Sequence, residues 1–129
     1  MRENSAPVRV LVVDDEALIR WSLIETLNET GHETAAAKDA GSAVRALLES
    51  TIPFDVVLLD FRLPDSNDLT LLSQMRRLSP RTQVILMTAY GSTEVVKGAL
   101  ALGAFRVVGK PLEMREVPEL VAQARAARP

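Results

Sequence analysis

The sequence predicts a single doubly wound α/β domain with a five-stranded parallel sheet, and three observations predict it. Short apolar runs rich in Val, Ile and Leu recur five times in 129 residues; stretches with apolar residues every three or four positions separate them; and the connections are short. Alternation of this kind implies helices on both sheet faces. Right-handed crossovers then leave few topologies.

Each element follows from local chemistry. Val8 to Val13 is a β-branched run closed by Asp14 and Asp15. The next stretch, Glu16 to Thr30, carries Ile19, Leu23 and Leu27 four apart, a helical stripe that Gly31 is placed to end in a left-handed conformation. Thr34 to Ala37 is a thin strand, which suits an edge. Asp39 is set to cap a second helix bearing Ala43, Ala46 and Leu47, and Pro53 breaks the chain after it. Asp55 to Leu59 reads as a strand buried on both faces, with Asp60 at its end. A third helix spans Leu69 to Leu78. Gln83 to Met87 forms the fourth strand, ending at Thr88, and Ser92 or Thr93 caps a helix running to Gly103. Phe105 to Val108 is the fifth strand, before Gly109-Lys110-Pro111. In the last helix, with Val117, Leu120, Val121 and Ala124, Pro118 is tolerated because it lies in the first turn.

Composition narrows the function. Fifteen Lys and Arg face seventeen Asp and Glu, a formal net charge of −2, which lacks the basic footprint of phosphate-backbone binding and argues against direct nucleic-acid contact. With no cysteine, disulfides, Cys-ligated zinc and thiol catalysis are excluded, and a reducing cytoplasm is the expected compartment. No apolar run is long enough for a membrane span. Residues 1–7 are expected to be a flexible tail, 8–126 the domain, and 127–129 a second tail that could begin a linker to a further domain outside this chain.

The reactive residues share one place. Asp14 and Asp15 follow the first strand, Asp60 the third, Thr88 the fourth and Lys110 the fifth, so all lie at carboxyl ends and converge on one crevice if the first and third strands are neighbours. Two unit charges about 4 Å apart repel by ~4 kcal/mol at an effective dielectric near 20. Three carboxylates therefore need a cation or raised pKa values. An oxygen-only ligand set selects a hard cation, Mg²⁺ in preference to Ca²⁺, with Mn²⁺ as a substitute. Metal, ammonium and hydroxyl around a free carboxylate are what a transferring phosphoryl group requires, and Asp60 is then its nucleophile.

With these residues in view, the chain resembles the receiver domain of two-component response regulators from Val8 to Ala126. VVDDE matches the family's acidic pair at Asp14 and Asp15, LLDFRLP its phosphoacceptor at Asp60, MTAYG its switch hydroxyl at Thr88, and GKP its lysine at Lys110. The resemblance implies a flavodoxin-like, CheY-like (βα)5 fold with strand order 2-1-3-4-5. It implies Mg²⁺ held by Asp15, Asp60 and the backbone carbonyl of Arg62, with Asp14 acting mainly through water. Ala89 is placed with Thr88 at the phosphoryl site, and the Lys110–Pro111 bond is implied to be cis. A sensor histidine kinase is the implied donor, since His32, the one histidine, is expected to be a solvated loop residue. The domain would catalyse its own phosphorylation and dephosphorylation without being an enzyme in the turnover sense. IRWSLIETL and TAYGSTEVVKGALALGAF are further similar to the NtrC-type enhancer-binding transcription activators, which implies a covalently linked output domain, control of transcription, and a homodimer through the fourth helix, fifth strand and fifth helix.

The match departs in three places. Val107 stands where the family often has an aromatic, leaving Tyr90 or Phe105 as the switching ring; Asn67-Asp68 replaces a common Asp-Gly, with Asp68 able to visit positive φ if required; and Arg62 and Tyr90 border the phosphate site. Trp21 is expected to pack, and Arg76, Arg77 and Arg81 to form a solvated face. A haloacid-dehalogenase-like phosphatase is the enzyme rival, although Glu16 stands where its second Asp should be. A receiver acting by protein contacts without phosphorylation is the binding rival.

Overall fold

In the computed structural model, which describes residues 7–128, the apolar runs are strands: β1 (Arg9–Val13), β2 (Glu33–Ala37), β3 (Val56–Asp60), β4 (Gln83–Thr88) and β5 (Arg106–Gly109). Five helices alternate with them: α1 (Ala17–Glu29), α2 (Ala40–Glu49), α3 (Thr70–Leu78), α4 (Thr93–Ala101) and α5 (Val117–Ala126), the last preceded by a 3-10 turn at Met114–Glu116. All strands pair in parallel, in the order β2-β1-β3-β4-β5. The expected flexible tail lies outside the described residues except for Pro7, as does Pro129 at the other end.

The two-residue period of the strands splits the core into two layers. Leu11, Val13, Val57, Leu59, Val84 and Leu86 face α2, α3 and α4, meeting Ala43, Leu72, Met75 and Ala99. Their neighbours Val10, Val12, Val56, Leu58, Ile85 and Met87 face the other way, onto Leu23 and Leu27 of α1 and Val117, Val121 and Ala124 of α5. Every residue of β3 is buried. Each fully buried aliphatic side chain contributes on the order of 2 kcal/mol, so a charge placed at Leu58 would break both the layer and the strand.

Helix ends obey the local signals. Gly31 closes α1 at φ 88°, and Gly103 follows α4 at φ 102°. Asp39 accepts from the Ser42 N–H at 2.8 Å at the start of α2, and Ser92 accepts from the Val95 N–H at 3.2 Å at the start of α4. Pro118 sits in the first turn of α5. The Lys110–Pro111 peptide is cis.

Several details correct the sequence expectations. Trp21 does not pack: it is 60% exposed, beside Leu18 at 73%, because α1 buries only its Leu23 and Leu27 edge. His32 is half-buried, and its Nδ1 accepts the Val8 N–H at 3.0 Å, tying the start of β1 to the turn before β2. Asp68 is not required to take a positive φ, which no described residue other than glycine does, and its carboxylate accepts from the Thr70 N–H at 2.9 Å. Arg76 turns inward to donate to the Thr82 carbonyl.

Candidate functional site

The strand order reverses at β1, from which the chain runs outward to β2 and then back to β3 on the other side. A crevice opens beyond the carboxyl ends of the strands at such a point. The residues that terminate β1, β3, β4 and β5 line it because each strand stops at the same level: Val13 pairs with Leu59, Asp60 with Met87 and Thr88 with Gly109.

Asp14 is wholly buried. Its amide donates to the Ala37 carbonyl at 3.1 Å, its carbonyl accepts from Arg20 at 2.7 Å, and its Oδ1 accepts the Glu16 N–H at 2.9 Å. Asp15 faces solvent. Asp60, the last residue of β3, is 6% exposed, and its Oδ1 accepts the Arg62 N–H at 3.3 Å. Thr88, the last residue of β4, is also buried, and its hydroxyl oxygen accepts the Tyr90 N–H at 3.2 Å. The loop after β5 is held against β4 by the Lys110 N–H, which donates to the Thr88 carbonyl at 2.9 Å. From there the Lys110 ammonium reaches across the crevice to within 2.9 Å of Asp14 Oδ2, 3.3 Å of Asp60 Oδ2 and 3.4 Å of Glu16 Oε1.

This arrangement sets the charge states. Burial pushes the Asp60 carboxyl above the usual aspartate value and the nearby Asp14 charge adds to it, while Lys110 and the Arg62 N–H oppose them without cancelling them. For Lys110, burial alone would lower the ammonium; the Asp14 and Asp60 carboxylates outweigh it and hold its pKa above the ordinary lysine value.

Asp14, Asp15 and Asp60 each bring one carboxylate oxygen within 4.8 Å of the others. One ammonium cannot neutralise three such groups. Asp14 Oδ2 is buried and meets Lys110 only as an ion pair, with no aligned hydrogen-bond donor. Three convergent hard oxygens with excess negative charge suit a divalent cation of the Mg²⁺ kind. The cleft beside them has a volume of about 280 Å³ and is lined by Asp15, Glu16, Asp60, Phe61, Arg62, Thr88, Ala89 and Lys110.

Of the residues singled out from the sequence, Asp14, Asp15, Asp60, Arg62, Thr88, Ala89 and Lys110 meet at one place, whereas Tyr90, expected to border it, is 79% exposed and does not line the cleft. Two participants carried no such signal. Glu16 figured only as the start of the first helical stretch and as a mismatch to another family, yet it contacts Lys110. Asp65, in the loop after Asp60, accepts from the Ala40 and Gly41 N–H groups at 2.7 and 3.1 Å and so fastens that loop to the start of α2; only the packing of α2 beside the loop reveals it.

A sheet of this order with an acidic, lysine-bridged cleft at its switch point defines a CheY-like receiver fold. The family model described as the response regulator receiver domain matches residues 10–122, and the chain belongs to that family. Among curated relatives it is 38% identical over 120 residues to the response regulator protein PilR of Pseudomonas aeruginosa, covering 93% of this chain and 26% of that protein. To the DNA-binding transcriptional regulator NtrC of Salmonella typhimurium it is 38% identical, covering 89% and 24%. The chain thus spans about a quarter of their length. Among solved structures, a CheY-like response regulator receiver domain from Methanospirillum hungatei superposes with TM-score 0.87 at 29% identity, over 94% of this chain and 95% of that one. The beryllofluoride-activated NtrC4 receiver domain dimer gives 0.83 at 31%, over 92% and 96%.

Proposed function

We propose that this receiver takes a phosphoryl group from the phosphohistidine of a sensor kinase onto Asp60 and uses it as a reversible signal. The observation that carries this reading is the Lys110 ammonium 3.3 Å from Asp60 Oδ2 at the mouth of the acidic cleft. In the transfer, an Asp60 carboxylate oxygen attacks phosphorus; the new O–P bond forms as the N–P bond to imidazole breaks, and the electron pair departs with the ring nitrogen, which takes up a proton. Water later cleaves the acyl phosphate to regenerate Asp60 and release inorganic phosphate. Asp15, Asp60 and the Arg62 backbone would hold Mg²⁺, with Asp14 in support; the ion supplies neutralisation of the charge on the phosphoryl oxygens. Lys110, 3.3 Å from Asp60 Oδ2, would contribute a further positive charge to the phosphoryl oxygens.

Phosphorylation adds roughly −1.5 to −2 charges beside Thr88 and Lys110. Because Thr88 ends β4 and Lys110 follows β5, their rearrangement bears directly on α4, β5 and α5. Turning a 1:99 population into 99:1 requires a differential of ~5.5 kcal/mol, within reach of several charge-assisted hydrogen bonds plus a dimer contact. The affected face is suited to docking. Leu100 and Leu102 are 48% and 39% exposed at the end of α4. An open groove of about 620 Å³ runs between β5, the 3-10 turn and α5. A homodimer through this face, a covalently linked output domain acting on transcription and a cytoplasmic location complete the reading; among the described residues no helix is long and apolar enough to cross a membrane.

The test is labelling by a small phosphodonor with Mg²⁺. The parent is expected to form a hydroxylamine-sensitive acyl phosphate and Asp60→Asn none; undiminished labelling of the variant overturns the assignment. A second reading, signalling by contacts alone, is favoured by Val107 on β5, and predicts an apparent mass unaffected by a phosphoryl analogue with Mg²⁺.

A further inference from the structure

Glu16 is the charged side chain lining the cleft to which the proposed phosphoryl transfer assigns no use. It stands at the N-cap of α1, where a carboxylate gains from accepting a first-turn N–H, yet its side chain makes no capping hydrogen bond. The carboxylate instead points over the crevice, 61% exposed, with Oε1 3.4 Å from the Lys110 ammonium. It lines the same cleft as Asp60, Thr88 and Ala89. A capping interaction is thus forgone in favour of a negative charge at the entrance to a site whose cargo is itself anionic.

We infer that Glu16 is a specificity-determining residue, a charge gate at the cleft mouth that slows small dianionic phosphodonors. The inference rests on the phosphoacceptor reading of Asp60. Two effects act together. An incoming phosphoryl group must pass a fixed negative charge, and it must take Lys110 away from a carboxylate that already holds it. A protein donor can bring its own basic groups to the rim and offset the first effect, whereas a small free acyl phosphate cannot. Since Glu16 is mostly in water, its field is screened, and the effect falls with ionic strength.

The experiment compares the parent with Glu16→Gln and Glu16→Ser, using acetyl phosphate, a dianion, and phosphoramidate, a monoanion near neutral pH, across a salt series with Mg²⁺ and with Asp60→Asn as control. Serine removes the charge while providing a good N-cap, so loss of fold is not a confounding outcome. Both variants are expected to raise the second-order rate constant with acetyl phosphate by about three- to tenfold at low ionic strength. The gain should be smaller with phosphoramidate and should shrink at high salt. Unchanged rates, equal factors for the two donors, or a gain indifferent to salt would each overturn the gate while leaving Asp60 as phosphoacceptor. If the parent shows no label that depends on Asp60, the phosphoacceptor reading fails and the gate falls with it.

Discussion

The Lys110 ammonium stands 3.3 Å from Asp60 Oδ2, although fifty residues and two strands separate them in the chain. The same ammonium lies 2.9 Å from the wholly buried Asp14. Removing it leaves two buried carboxylates facing each other with no counter-charge. Lys110→Ala should therefore lower unfolding free energy by about 3 kcal/mol in chelator, the lower end of the range for breaking a buried pair. Urea unfolding checks it, and a loss below about 1 kcal/mol would show that water already screens the pair.

Divalent cation should compensate for the same repulsion. If Asp15 and Asp60 hold the ion, Mg²⁺ at a hundred times its dissociation constant adds about 2.7 kcal/mol to stability by mass action. The Tm of the parent should rise with Mg²⁺ and that of Asp15→Asn hardly at all. Equal rises in the two proteins would place the ion elsewhere.

If Asp60 takes up the phosphoryl group, Thr88 should separate chemistry from response. Its hydroxyl oxygen accepts the Tyr90 N–H, and the residue ends β4 beside β3, which carries Asp60. Thr88→Ala should keep Asp60-dependent labelling within a fewfold of the parent yet reduce the change in apparent mass produced by a phosphoryl analogue. A full mass shift in the variant would remove Thr88 from the switch.

His32 makes part of the stability depend on pH. Burial lowers its pKa below the ordinary 6.5, and the Arg125 charge lowers it further, while Nδ1 must be unprotonated to accept the Val8 N–H. A folded pKa below the unfolded one means that this contribution is fully present above pH 6.5 and is lost as pH falls through the lowered folded value. In His32→Asn the amide oxygen can take the place of Nδ1. That variant should unfold with a flatter dependence between about pH 5 and pH 7, measured by chemical denaturation; an identical slope would assign the pH dependence to other groups.

Gly98 in α4 admits a neighbour. A Cβ there would lie 2.8 Å from Leu69 Cδ1, so the leucine before α3 fills the space that the missing side chain leaves. Gly98→Ala gains up to about 1 kcal/mol of helix propensity but must displace that methyl group. The change alone should be near neutral, whereas in a Leu69→Ala background it should stabilise. A double-mutant cycle with a coupling below about 0.3 kcal/mol would mean that Leu69 moves aside freely.

Much of this molecule was legible in the residues themselves. β3 announced its double burial through VVLL, β2 its edge position through a thin Ala-rich run, and α2 and α4 their starts through Asp39 and Ser92, because periodicity, caps and left-handed glycines act within a few residues. The same locality placed Asp14, Asp15, Asp60, Thr88 and Lys110 at strand ends. What local chemistry could not decide was which side chains would meet. The exposure of Trp21, the acceptor role of His32, the anchoring of Asp65 on α2 and the reach of Glu16 to Lys110 each depend on packing between elements distant in sequence. Distances across a sheet are set by strand order and register, and neither is written in any single segment.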